Sequence, residues 1–356
     1  MNENKKINSD NMIAVGMVVL VLSIIGLFIG PAWIGGLFNA MFNKAKSIVA
    51  DVYLAGSLGA TIICSVMVGR ILERLGLTDA MVRVFAPIAY WLGLNPTVIV
   101  PGVYNILGDI NAAGRIAGPV LKKAGATKDE QKIAVVTMVQ SQQSFSTFML
   151  GLIAMANAGV WAFPVVILGI FAPLVVIPWV LSETIYRNVK RVAYTDMPRF
   201  TPATSAMNTI FGGAREGAEL MFLLLIPAAT VVFAFIGALE FIGIWKPIEN
   251  ALSAFLAAVA IEPKTGILSV LASPTLAMNT LKDMAAKLGD PRLVVGSFIL
   301  AASGLPLQVP LAQIPAVWSQ ASDLTGPEAM GAAVLGIILR VITAILMAML
   351  LTPLIA

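Results

Sequence analysis

The chain contains no histidine. This removes the side chain most used as a general base near neutral pH and the commonest metal ligand. It holds one cysteine, Cys64, which excludes an internal disulfide and a thiolate metal cluster. Charge is scarce: 12% of its 356 residues are charged, against about 25% in soluble domains. G-x-S-x-G, H-E-x-x-H and the P-loop Gly-Lys-Ser/Thr are all missing. So is a pair of aspartates in separate spans, as an intramembrane aspartyl protease needs. These absences read as no enzyme, no cofactor and no metal. No basic–aromatic cluster suggests nucleic acid, and the net charge of +4 reflects the basic flanks of apolar segments.

What the chain does have is apolar surface. Hydrophobic residues make up 58% of it, and the mean hydropathy is +0.90. Apolar blocks at 12–33, 52–69, 133–156, 160–182, 219–244, 292–320 and 330–355 are each long enough for the ~20-residue helix that spans a bilayer. Barrel strands would be shorter and alternating. The fold class is therefore an all-α integral membrane protein with about seven transmembrane helices. The first block has no clear cleavage site and is too long for a signal peptide, so it reads as a retained span. Lys5 and Lys6 precede span one, Arg70, Arg74 and Arg83 follow span two, and Lys122, Lys123, Lys128 and Lys132 precede span three. Arg187, Lys190, Arg191 and Arg199 follow span four. This bias puts the N-terminus on the cytoplasmic side.

Between the spans lie segments too short or too broken to cross. Residues 79–93 form an amphipathic stretch, and 95–125 form an apolar one interrupted by Pro101, Gly102, Gly108, Gly114, Gly118 and Pro119. The second pattern suits a re-entrant helical hairpin, which needs protein or a water-filled cavity around its broken backbone. The same order returns: 244–260 is amphipathic, and 262–290 is a broken segment with Ser273–Pro274–Thr275 at its tip. Pro96 pairs with Pro263 and Asn111 with Asn279 at nearly the same offset. Counting spans makes the two hairpins enter from opposite faces. That is an inverted-topology repeat with two re-entrant hairpins and two interfacial amphipathic helices, a common build of secondary transporters. The chain divides into an N-terminal span and connector (1–50), a first repeat (51–200) and a second repeat (201–356).

The polar residues concentrate where that architecture needs them. Gln140, Gln143, Ser144 and Thr147 belong to a polar run inside span three. Read as one helix, this run is polar around nearly its whole circumference, more than hydrogen bonds between helices account for. A water-accessible cavity explains it. In the second repeat Ser303, Gly304, Pro306, Gln308, Pro310 and Gln313 make span six irregular. Asp109 is the most telling ionisable group, because a carboxylate at bilayer depth costs about 2.5–3.5 kcal/mol. It could bind a proton or cation, grip a substrate amine, pair with Arg115, or cap a helix. Asn105, Asn111, Ser273, Thr275 and Asn279 complete the hairpin tips. Arg340 interrupts the last span and is expected to meet a carboxylate.

The stretches GLNPTVIVPGVYNILGDINAAGRIAGPVLKKAG and PIENALSAFLAAVAIEPKTGILSVLASPTLAMNTLKD resemble the nucleoside-recognition, or Gate, domain of bacterial inner-membrane proteins. The chain is similar to spore maturation proteins A and B fused, and distantly to concentrative nucleoside transporters. The resemblance implies two opposed hairpins and a transport domain moving against a scaffold in a bacterial cytoplasmic membrane. The nucleoside transporters carry a Gln-Thr-Glu cluster on the first hairpin, and the corresponding tip here, YNILGDINAAG, lacks it. The expected function is secondary transport of a small polar solute, nucleoside-like or other, with Asp109 coupling it to a proton or sodium ion. The alternative is a non-transporting assembly subunit. Either can form a homo-oligomer.

Overall fold

Every regular element among the described residues is helical. The structure, a computed structural model, describes residues 9–141, 144–190, 197, 199–303 and 305–355. The first half contains α1 (Ser9–Ile29), α2 (Pro31–Leu54), α3 (Leu58–Arg74), α4 (Leu77–Trp91), α5 (Pro96–Leu107), α6 (Ile110–Lys123), α7 (Lys128–Gln140), α8 (Phe145–Asn157), α9 (Phe163–Phe171) and α10 (Pro173–Thr184). The second contains α11 (Ala206–Phe241), α12 (Trp245–Ala258), α13 (Pro263–Leu271), α14 (Pro274–Met284), α15 (Pro291–Ala301), α16 (Ile314–Ala321) and α17 (Gly326–Ile355). A π-helical turn, Val309–Gln313, leads into α16.

Two helices, α11 and α17, are long and apolar enough to cross a membrane unbroken. Three bent pairs raise the count to five if each is one span. The α9–α10 pair bends by 43° at Ala172 and the α12–α13 pair by 113°. Proline accounts for much of this: Pro173 and Pro263 begin helices, where a missing N–H costs nothing. Span three, read from the sequence as one helix, is broken, and span six, expected to be irregular, is broken as well. Residues 133–156 divide between α7 and α8, and 292–320 between α15 and the turn leading into α16.

Each half runs amphipathic helix, hairpin, broken span: α4, α5–α6, α7–α8, then α12, α13–α14, α15–α16. Contacts are exchanged between the halves. The return arm α6 lies on α16, and its counterpart α14 lies on α8. Small residues permit the approach. A Cβ on Gly114 would fall 2.8 Å from Nε1 of Trp318, and one on Gly118 would meet the backbone of Ala321.

Two apolar clusters form, one around each hairpin. The first gathers α5, α6, α7 and α16; the second gathers α14, α8, α9 and α15. Alongside them α11 packs on α3 and α2.

Candidate functional site

The two hairpins break for the same local reason. In α6 the N-cap Asp109 accepts the backbone N–H groups of Asn111 (2.8 Å) and Ala112 (3.1 Å) through Oδ1. In α14 the N-cap Ser273 accepts the N–H of Leu276 at 3.4 Å, with Pro274 at the first helical position. Each cap satisfies amides that a helix start leaves orphaned. Of these readings of Asp109, the cap is therefore realised, and among the described residues the exposed Arg115 does not pair with it.

Counted from these caps, the second residue of each return helix is Asn111 in one repeat and Thr275 in the other. Asn279, the expected partner of Asn111, sits one turn further on. Both cap-registered residues reach the other half of the chain. Asn111 Nδ2 donates to Gln313 Oε1 at 3.2 Å, and the hydroxyls of Thr147 and Thr275 lie 3.3 Å apart.

The polar run of the third expected span is not a helical wall. Helix α7 stops at Gln140, Ser141 is extended, and Ser144 has φ 62° before α8 begins. A non-glycine residue in that region costs on the order of 1–3 kcal/mol and persists where its surroundings demand it. Ser144 caps α8 through the N–H of Thr147. The break in span six lies between Ala301 and Val309.

All four breaks meet at one cavity of about 270 Å³. The hairpin tips contribute Gly108, Asp109, Ile110 and Asn111, and Ala272, Ser273, Pro274 and Thr275. The broken spans contribute Ser144, Phe145 and Thr147, and Pro306, Gln308, Val309 and Gln313. The helix starts of α6, α8, α14 and the turn before α16 thus face one space. The remaining wall is Leu107 at the end of α5, Val66 and Arg70 from α3, and Glu216, Glu219, Leu220, Leu224 and Leu225 from α11.

Of the expected site residues, Asp109, Asn111, Ser144, Thr147, Ser273, Thr275 and Gln308 line this cavity. Four others do not. Asn105 is fully buried and donates to Met138 O and Ser141 Oγ, each at 3.2 Å, tying α5 to the α7 break. Gln140 donates to Gly336 O at 2.9 Å. Ser303 donates to Leu300 O at 2.6 Å. Asn279 accepts from Lys282 Nζ at 3.1 Å. Gln143 lies outside the described residues.

Sequence reasoning missed the α3–α11 wall. Arg70 Nε and Nη2 hold both oxygens of Glu216, at 2.7 and 2.5 Å, and Nη1 holds Glu73. Arg70 counted only as a basic flank, and Glu216 is 146 residues away. The one local signal was Glu73 three residues after Arg70, the spacing of helical neighbours. Arg70 and Glu216 also line a second cavity, with Glu73, Pro202 and Thr204. Glu219 pairs with Arg215 at 2.8 Å, as an interfacial ion pair does.

No family model matches the chain, so the nucleoside-recognition domain finds no match there. No curated protein matches it in sequence. Two solved structures of a concentrative nucleoside transporter, CNTnw, do match in fold. For CNTnw in an inward-facing substrate-bound state the TM-score is 0.59 at 13% identity, covering 98% of this chain and 86% of that one. For a doubly substituted CNTnw in an outward-facing state it is 0.57 at 12% identity, with the same coverage. At this identity the likeness is one of fold: the chain is an all-helical membrane protein built like that transporter.

Proposed function

We propose that the chain is a secondary transporter of a small polar solute, working by alternating access in a bacterial cytoplasmic membrane. The observation that carries this is the convergence of both hairpin tips and both span breaks on one cavity. Broken helices offer unpaired backbone groups at membrane depth, and transporters place their substrates there. A volume near 270 Å³ lies at the lower edge of ligand pockets, which run from about 300 Å³ upward, and so suits a small solute. Its lining of amides and hydroxyls suits one that both donates and accepts hydrogen bonds. A nucleoside is the first solute to try, because the fold is that of a nucleoside transporter. Asp109 uses only Oδ1 in capping. Oδ2 is left to couple the solute to a proton or sodium ion.

Thermal shift of the purified protein against nucleosides, nucleobases, amino acids and small sugars tests the reading. A specific binder raises the melting temperature by mass action, and Gln308→Ala reduces the rise. In proteoliposomes the same solute exchanges through Asp109→Asn but is no longer concentrated. The reading fails if no solute shifts the melting temperature and Gln308→Cys, in a Cys64→Ser background, is labelled from neither face. That result would favour the assembly subunit.

A further inference from the structure

Arg340 lies midway along α17 and is fully buried. A cation in a membrane helix is expensive and is expected to meet a carboxylate. Among the described residues no carboxylate reaches it. The guanidinium donates to three backbone carbonyls: Nε to Ile299 O at 2.8 Å, and Nη1 to Gln140 O at 2.8 Å and Gly169 O at 2.9 Å.

Each of these carbonyls has lost its own helical partner. In an α-helix a carbonyl accepts the N–H four residues on. For Gln140 that donor is Ser144, which has already left the helix. For Ile299 it is Ser303, whose N–H bonds Ala301 O instead. For Gly169 it is residue 173, a proline with no N–H. Arg340 thus supplies the missing donor at three helix ends: α7 of the first repeat, α15 of the second, and the α9–α10 joint. At these C-terminal ends a positive charge also complements the helix dipole. A reciprocal bond completes the clasp, since Gln140 donates to Gly336 O one turn before Arg340.

We propose that Arg340 is a positioning residue that ties the broken span of each repeat to α17, so that the two breaks hold or shift their geometry together. It touches neither the cavity nor the solute. It fixes where α7 and α15 stop, and hence where the cavity-facing starts of α8 and the turn before α16 lie. The role calls for arginine, whose planar fork presents five N–H donors in fixed directions. A lysine would have to reach all three carbonyls from one nitrogen, whereas the guanidinium reaches them from Nε and Nη1. The proposal holds whatever the solute and does not rest on transport.

Its test reads the breaks directly. Ser141 and Ser303 flank the two breaks and are fully buried. Each is replaced by cysteine singly in a Cys64→Ser background and labelled with N-ethylmaleimide, with mass as the readout. A third probe, Ala86→Cys in α4, is equally buried but far in the chain from both span breaks. With Arg340 present, all three label slowly. With Arg340→Met, labelling at Ser141→Cys and Ser303→Cys should rise together, on the order of tenfold or more, the factor implied by losing a hydrogen bond from a charged group. Ala86→Cys should stay slow. Arg340→Lys should give rates between the two, and it replaces Arg340→Met if that variant does not fold. A rise at one break alone, a rise at neither, or an equal rise at Ala86→Cys would overturn the proposal.

Discussion

Asp79 ties the loop after α10 to the start of α4. Its carboxylate accepts the backbone N–H of Phe200 at 2.8 Å and of Thr201 at 3.0 Å, and the Thr201 hydroxyl. Burial works against its ionisation. The bonds from Thr201 and Phe200, with the charge of Arg83, outweigh that and hold its carboxyl below the ordinary carboxylate range. A carboxyl lowered in the folded state lends stability that is fully present above its unfolded value and is lost as pH falls through the folded one. The segment 199–204 should therefore resist pepsin at about pH 5 and be cut progressively more readily below about pH 4, where unperturbed aspartates take up protons. Asp79→Asn should be cut readily throughout. Equal resistance of the variant would remove Asp79 from this role. At this scale the sequence was legible where chemistry is local: Asp109 and Ser273 are cap residues beside a proline or glycine and do cap. It was illegible where the partner is remote. Nothing near Arg340 announces that its acceptors are carbonyls of residues 140, 169 and 299, because those carbonyls are freed only by breaks elsewhere in the chain.

The helices teach a different lesson about breaks. In span six Gly304, Pro306 and Pro310 announce an interruption, and the helix stops there. In span three no glycine or proline lies between Gln140 and Phe145, so hydropathy alone reads a continuous helix with an oddly polar girdle. The polar residues mark the interruption itself, where hydroxyls and amides replace helical hydrogen bonds. Helix α17 shows how packing then fixes these pieces. A Cβ on Gly336 would lie 2.8 Å from Val139 Cβ and 3.3 Å from Val136 O, whereas one on Gly331 would meet nothing within 4 Å. Two alanine substitutions five residues apart in one helix should thus differ in sign. Gly336→Ala must push α7 and α17 apart and should destabilise by about 1–3 kcal/mol. Gly331→Ala gains helix propensity and should stabilise by up to about 1 kcal/mol. Thermal unfolding in detergent reads both. A melting temperature for Gly336→Ala at or above that of the parent would contradict the close α7–α17 contact.

Across the whole molecule two groups of helices face each other over the cavity. One is α2, α3 and α11, drawn together by glycines: Cβ atoms on Gly213 and Gly217 would lie within 3.0 Å of Met67 Cα and Ile63 Cα. The other holds both hairpins and both broken spans, with α17 clasped between them. The order of helices in each half was legible from hydropathy and turn residues. The surface opposing the hairpins was not, because α3 and α11 meet through residues far apart in the chain. Alternating access requires these groups to move relative to each other. Gly69 on α3 and Phe145 at the start of α8 bridge the boundary: a Cβ built on Gly69 lies 3.5 Å from Phe145 Cβ, within the range a disulfide accepts. Gly69→Cys with Phe145→Cys, in a Cys64→Ser background, should cross-link on mild oxidation. The cross-link should arrest proteoliposome uptake of whichever solute the thermal-shift panel identifies, and reductant should restore it. Uptake that continues unchanged in fully cross-linked protein would mean that the cavity opens without separation of α3 from α8, and the moving boundary would then have to lie elsewhere.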